Sequence, residues 1–317
     1  MSQELVWGTV DITYIFLGGL AAGSFFISAL IILSDKVDST RFATARYGAM
    51  LAPVAAIIGA LLLPIELGHP FRAWRVYLNF VHGWESPMFY GAWLLIIFIG
   101  ASVLYALTFL RGNAAANDEW QGARKALAYV GLVVGFGLGL YYGVLHAAMP
   151  SRPFWNTPIL PLLFLFSAYA MGVAGVILLR GLLHKTSSDP EIEGQYQASG
   201  YKLLAWVLTL VVGQLVLIAL FIIFGAGFGT LSVRQAVSVI LPGGPLALGF
   251  WAWVVLVGLI LPGVVALFYM SPRLFSHGTF SAPRTAEIVL PVALLFGGYM
   301  LRYVIVVAGQ ITGPVGI

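Results

Sequence analysis

Charge is what this 317-residue sequence has least of: 9% of its residues are Asp, Glu, Lys or Arg, against roughly 25% in an ordinary soluble domain. With 12 acidic and 16 basic side chains it cannot cover a water-facing surface around a chain that is 60% hydrophobic, and its solvent is therefore lipid. The net charge of +4 reads as a membrane-topology signal rather than a nucleic-acid footprint. Cysteine is absent, which excludes disulfides, thiolate-held iron–sulfur clusters and cysteine nucleophiles in this chain. Histidine is scarce. A di-haem cytochrome needs facing histidine pairs inside the bilayer. Of His69, His82, His146, His184 and His277, only His146 falls clearly within an apolar run. The sequence thus offers no haem or iron–sulfur ligand set, and any electrons that pass must be received by a partner. The N-terminus lacks a basic n-region and a small-residue cleavage site, which predicts a retained first helix.

Long apolar runs, by contrast, are plentiful. About 20 apolar residues cross the hydrocarbon core, and eight stretches qualify, at 12–34, 47–66, 86–110, 124–148, 157–182, 199–226, 246–270 and 285–309. The expected fold is an all-α integral membrane protein of eight transmembrane helices, a single membrane domain over residues 1–317. A less apolar stretch, 227–244, is expected at the interface or folded back over the bundle. Lys36, Arg41, Arg46, Arg111, Arg124, Lys125, Arg180, Lys185, Lys202, Arg273 and Arg284 fall on one side of these runs. Only Arg72, Arg75, Arg152 and Arg234 fall on the other. Basic loops stay cytoplasmic, which predicts both termini on the outer side of a bacterial or archaeal cytoplasmic (inner) membrane. Pro87-x3-Gly91-x-Trp93, opening the third run, recurs as Pro245-x3-Gly249-x-Trp251 at the seventh. Runs four apart cross in the same direction. The recurrence suggests two four-helix bundles, residues 1–150 and 151–317, related by an axis along the membrane normal. Chance among abundant glycines and tryptophans is the other reading.

Polar groups at membrane depth are costly, so function is sought where they persist. On the predicted topology the outer half holds Asp11, Tyr14, Glu66, Tyr141, Tyr142, His146, Arg302 and Gln310, with Gln214 near mid-depth. The inner half holds little comparable. Asp11 and Tyr14, three residues apart, share a helix face. Arg302 lies too deep to reach water easily and calls for a carboxylate or carbonyl partner, with Glu66 the obvious candidate. One reading is that these groups bond to one another and only stitch the helices together. The other is that a carboxylate, tyrosines and an arginine near one membrane face hydrogen-bond the two carbonyl oxygens of a quinone and exchange its protons.

Several ordered segments resemble those of the NrfD/PsrC family, the membrane subunits of polysulfide reductase and related quinone-linked oxidoreductases. They are Tyr14-Ile-Phe-Leu-Gly-Gly-Leu-Ala-Ala-Gly23, Glu66-Leu-Gly-His-Pro-Phe-Arg72 and Ser86-Pro-Met-Phe-Tyr-Gly-Ala-Trp93. Tyr141-Tyr-Gly143, the Pro-Phe-Trp at 153–155 leading to Leu160-Pro-Leu-Leu-Phe164, and Leu301-Arg-Tyr-Val-Ile-Val-Val-Ala-Gly-Gln310 complete the set. The resemblance spans nearly the whole chain. It implies a menaquinone or ubiquinone bound near the outer face and a four-cluster ferredoxin-like iron–sulfur subunit docked there. That subunit would link the chain to a molybdenum-pterin catalytic subunit, as in anaerobic respiration. The family's quinone contacts fall at Asp11, Tyr14 and Tyr141, with Tyr142 a rival to Tyr141 and His146 close by. Glu66, Arg302 and Gln214 would handle protons. The outward loops carrying His69, Arg72, Arg75, Arg152 and Trp155 would receive the partner. On this expectation Tyr141 and Tyr14 hold one end of a quinol head group entering between helices one, two and four, and Asp11 accepts a proton. Where other members often carry different polar residues, Asp11 can titrate and Tyr14 is a weak acid, so proton release could differ here.

Two rival functions stand beside this one. Glu66, Gln214 and Arg302 could serve a proton or ion translocator without quinone, and the one-sided distribution of polar groups argues against that. A structural anchor would use the outer loops to dock a soluble partner, with the polar cluster as glue.

Overall fold

Each apolar run folds as one long helix, because a chain in hydrocarbon must satisfy every backbone polar group internally. The computed structural model describes residues 7–34, 37–66, 78, 83–111, 119–183, 189–275 and 283–313. The first six spans are α1 (Thr9–Ile32), α2 (Ser39–Glu66), α3 (Pro87–Arg111), α4 (Gln121–Ala147), α5 (Ile159–Leu183) and α6 (Pro190–Ile222). A π-helical segment, Ile223–Phe228, prolongs α6, and the short α7 (Leu231–Ser238) follows. The seventh span joins a π-helical stretch, Gly249–Ile260, to α8 (Leu261–Phe275), and α9 (Arg284–Ile311) is the eighth. The described residues contain no strand. The expected eight-span all-α fold is the fold observed.

Local chemistry sets the boundaries. Pro87 and Pro190 each take the first helical position, where a missing N–H is harmless. Asp189 caps α6, its Oδ1 accepting from the Glu191 amide at 2.9 Å. Pro161 falls in the first turn of α5, as expected. Two helices start a full two turns before their apolar runs: α2 at Ser39 rather than 47, and α6 at Pro190 rather than 199. Hydropathy marks only the part of a helix bathed in lipid, and these first turns are polar.

The helices alternate in direction, so α1, α3, α5 and the seventh span start at the end where α2, α4, α6 and α9 finish. At the centre, α1 and α5 meet backbone to backbone. A Cβ on Gly23 would lie 2.0 Å from the Ala168 carbonyl oxygen, and one on Gly172 would lie 1.9 Å from the Gly23 carbonyl carbon. Small residues allow this approach, which replaces hydrophobic drive with dense van der Waals contact. Around that axis α1 packs on α2 and α4, α2 on α3, and α3 on α4. In the second half α5 packs on α6 and α9, α6 on the seventh span, and that span on α9. Large apolar side chains such as Leu61, Val133, Val264 and Phe268 remain exposed on the rim, as a lipid solvent requires.

The 227–244 stretch folds back on the end of α6. Arg234 donates to the Gly229 and Gly227 carbonyls, both at 2.9 Å, and Val237 packs over Gly225. Gly243, at φ +95°, turns the chain into the seventh span.

The expectation that the other end is poor in buried polar groups is wrong. Arg124 and Arg180, which the sequence places among loop cations, are buried to 3% and 1% exposure. Arg124 lies between the Phe42 and Phe109 rings and donates to the Thr108 carbonyl at 2.8 Å. Arg180 of α5 pairs with Glu287 of α9 at 3.6 Å, stacks on the Tyr196 ring of α6 and donates to the Tyr196 carbonyl at 2.6 Å. The Tyr196 hydroxyl in turn donates to Glu287 Oε2. Long arginine side chains fold inward here because aromatic faces and helix carbonyls receive them.

Candidate functional site

The end at which α1 starts carries most of the predicted polar residues. Tyr14 of α1 is buried and meets the Tyr142 ring edge-on at 5.5 Å. Tyr141 and Tyr142, consecutive on α4, are also buried, their ring centroids 5.5 Å apart. Gly59 of α2 passes beside Tyr14. The three tyrosines therefore come together between α1, α2, α3 and α4.

Glycines make the room. A Cβ on Gly18 would lie 1.8 Å from the Tyr142 hydroxyl, and one on Gly91 would lie 1.8 Å from the Tyr141 ring. Gly19, next on α1, faces Arg302 Nη2, which a Cβ would approach to 2.5 Å. The Gly-Gly pair after Tyr14 thus admits a tyrosine from one side and an arginine from the other. Gly91 of the Pro-x3-Gly-x-Trp motif lets Tyr141 pack against the α3 backbone.

Arg302 is 1% exposed. It donates from Nη1 to the Gly298 carbonyl (2.8 Å), Ser167 Oγ (3.0 Å) and Met171 Sδ (3.4 Å), and from Nε to the Ile15 carbonyl (3.3 Å). Phe164 lies across its guanidinium at 5.5 Å. These acceptors are neutral, and the Glu66 side chain proposed from the sequence lies outside the described residues. Glu66 itself is the last residue of α2.

His146, one turn after Tyr142, is fully enclosed by Trp7, Trp155 and Phe164 at centroid distances of 4.8, 4.9 and 5.6 Å. Its Nδ1 lies 2.6 Å from the Tyr142 carbonyl. A carbonyl only accepts, so Nδ1 carries the proton and Nε2 is left with its lone pair. Among the described residues two atoms of this cluster, His146 Nε2 and Arg302 Nη2, are buried without a hydrogen-bond partner, and the equally buried Tyr142 hydroxyl faces Tyr14. Such groups cost about 1–3 kcal/mol each if nothing meets them.

Not every predicted residue joins them. Asp11, half-buried in the first turn of α1, accepts from the Gly8 amide at 3.2 Å and so helps start that helix. Gln214 is buried in α6, which supplies no other member of the cluster. Trp155 lies inside rather than on a docking surface, its indole donating to the Ile305 carbonyl at 2.7 Å. Arg152, half-buried, donates to the Gln310 carbonyl at 2.8 Å and ties the α4–α5 loop to the end of α9. Gln310 in turn exchanges two hydrogen bonds with the Trp7 backbone. His69, Arg72 and Arg75 lie outside the described residues. Trp7, Phe164, Ser167 and Met171 were missed by the sequence reading, because aromatic and small apolar-face residues carry no signal of what they touch.

Eight lipid-facing spans around a buried tyrosine–histidine–arginine cluster define a multi-pass integral membrane protein whose polar chemistry gathers at one end. A family model described as "Polysulphide reductase, NrfD" matches residues 1–314, and the chain belongs to that family, as its motifs suggested. It is similar to a component of the polysulfide reductase of Wolinella succinogenes, 31% identical over 97% of this chain and 95% of the other. It is also similar to protein NrfD of Escherichia coli, 28% identical over 98% and 96%. A component of the selenate reductase of Mesobacillus selenatarsenatis is 24% identical over 55% of this chain and 47% of its own length.

Proposed function

We propose that this chain is the quinone-reactive membrane subunit of a reductase complex, exchanging electrons between the membrane quinone pool and an iron–sulfur partner docked at the end where α1 starts. The observation that carries this reading is the buried cluster at that end, where Arg302 Nη2 and His146 Nε2 have no hydrogen-bond partner beside Tyr14, Tyr141 and Tyr142. The donor set fits a quinone head group: carbonyl oxygens accept, and the Tyr142 hydroxyl of α4 and Arg302 Nη2 of α9 offer donors beside Gly18 and Gly19 of α1. A bound menaquinone or ubiquinone would supply the two-electron, two-proton couple that the side chains lack.

The chain's own residues would then position and exchange protons. Tyr142 and Arg302 hold one carbonyl end, with Tyr14 and Tyr141 packing against the ring. Arg302, fixed by four neutral acceptors, presents its charge without needing to move. His146 Nε2 is free to take a proton, while its Nδ1 stays anchored on α4. Asp11, at the helix start outside the cluster, would pass protons outward. The relatives named as components of polysulfide and selenate reductases support a place in a reductase complex; a molybdenum-pterin subunit as terminal partner and the cytoplasmic membrane as location are part of the same proposal.

The test is to purify the chain in mild detergent, extract bound quinone and identify co-purifying proteins by mass spectrometry. A stoichiometric quinone, lost on Tyr142→Phe while the partner is retained, is the expected result. A chain that purifies with its partner, carries no quinone and supports no quinol-linked activity would overturn it.

A second reading, proton transfer across the membrane, has one observation in its favour. The Arg180–Glu287–Tyr196 cluster puts a buried titratable group at the end opposite Arg302. Vesicles holding the reconstituted complex and an internal pH dye would register proton uptake during turnover; a static dye signal would remove this reading.

A further inference from the structure

The three rings that enclose His146 are not equally fixed. Trp155 and Phe164 are buried, at 2% and 1% exposure, whereas Trp7 is half-exposed. Trp7 meets the imidazole edge-on at 4.8 Å and the Trp155 ring at 5.8 Å. It stands just before the first turn of α1. Of these three rings, then, the one that touches both His146 and water is carried by the segment leading into α1 rather than by a span.

One side chain ties that segment down. The Trp7 amide donates to Gln310 Oε1 at 2.9 Å, and Gln310 Nε2 donates to the Trp7 carbonyl at 3.0 Å. Among the described residues no other side chain hydrogen-bonds the Trp7 backbone. Gln310 itself has a second place to go, because its Nε2 also lies 3.3 Å from the Val306 carbonyl on its own helix. Its backbone is pinned separately, the Gln310 carbonyl accepting from Arg152 at 2.8 Å. The glutamine can therefore release Trp7 while α9 stays where it is.

We propose that Trp7 is a gated cover over His146 and that Gln310 is its latch. When the pair parts, His146 Nε2 meets water on the side where α1 starts. A proton taken on Nε2 then passes to that water and leaves the neutral ring, with Nδ1–H still on the Tyr142 carbonyl. The proposal rests on the reading of His146 as a proton acceptor of the quinone site, and adds the route by which that proton leaves. Energetically the two states lie close. Opening costs two neutral hydrogen bonds, of which the Val306 carbonyl and water return a part, and it hydrates a buried acceptor that has no partner when covered. Closure keeps protons from leaking while the site is occupied.

The experiment labels the purified full chain in detergent with diethyl pyrocarbonate, which acylates an unprotonated imidazole nitrogen, and follows the His146 peptide by mass spectrometry. In the wild-type protein His146 should react slowly. Gln310→Met keeps the length of the side chain and loses both bonds to Trp7, so labelling should rise about 30-fold, as the loss of two neutral hydrogen bonds predicts. Trp7→Ala keeps the backbone latch and removes the cover, and should label at least as fast. Trp7→Phe keeps both a ring and the latch, and should label like the wild type. Equal rates in all four proteins overturn the proposal, because His146 would then be reached by a path that Trp7 does not control. A rise in Gln310→Met accompanied by faster backbone hydrogen exchange throughout α5 and α9 also overturns it, since the whole bundle would have loosened. Labelling reads access and needs no quinone, so its failure would leave the quinone site standing, and a quinone-free chain would still answer it.

Discussion

Gly18 shows how far one side chain can govern this protein. Its missing methyl is what lets the Tyr142 hydroxyl reach the α1 backbone, at a place where a Cβ would sit 1.8 Å from that oxygen. In Gly18→Ala the tyrosine must turn away, and overpacking should destabilise the chain by about 1–3 kcal/mol. Quinol-linked turnover should fall more steeply than thermal stability in detergent; equal turnover would detach Tyr142 from the site. Asp11→Asn separates the helix-start contact of this residue from the proton transfer proposed for it. An asparagine oxygen still accepts from the Gly8 amide, so the helix start and the melting temperature should hold. The proposed proton exchange should be lost, and unchanged quinol oxidation would remove Asp11 from the mechanism. At the other end, Glu287→Gln leaves Arg180 buried without its counter-charge. A broken buried pair costs about 3–5 kcal/mol, so the variant should express poorly and melt early. Arg180→Met/Glu287→Leu should recover most of the loss, and a Glu287→Gln protein as stable as wild type would show that Tyr196 and helix carbonyls alone hold the cation.

Among the elements, α1 and α5 decide whether the bundle assembles. Gly23 and Gly172 bring these two helices within backbone contact, and Gly258 and Gly297 do the same for the seventh span and α9. Gly23→Leu should push α1 off α5 and abolish the folded protein, whereas Gly100→Leu, where an added Cβ meets nothing within 4 Å, should be silent. Size-exclusion profiles in detergent distinguish the two, and a monodisperse Gly23→Leu protein would contradict this account of the core. The helices themselves were readable from hydropathy, since each run exceeds what a bilayer requires. Their polar first turns were not: Ser39–Arg46 and Pro190–Ser199 are helical without being apolar, and composition alone assigns such segments to loops.

For the whole molecule, the distribution of basic residues predicts that the α1 starting end faces outward. The absence of cysteine makes this directly testable, because any introduced thiol is unique. Asn156→Cys and Glu191→Cys, both at exposed positions of opposite ends, should react with a membrane-impermeant maleimide from outside and only after lysis, respectively. The reverse pattern would invert the topology and the docking side with it. Composition and run length fixed the class, the number of spans and the helical fold, because lipid permits few alternatives and hydropathy reports it directly. Motif order was enough to identify the family. What only the tertiary structure decided is which polar residues meet. Arg302 turned to Ser167, Met171 and backbone carbonyls, Trp155 turned inward to Ile305, and Arg180 and Arg124 left the predicted loops for the interior. Hydropathy has no memory of helix rotation, and a long side chain can reach either the surface or a neighbouring helix. Only the packing of glycine against tyrosine and arginine makes that choice.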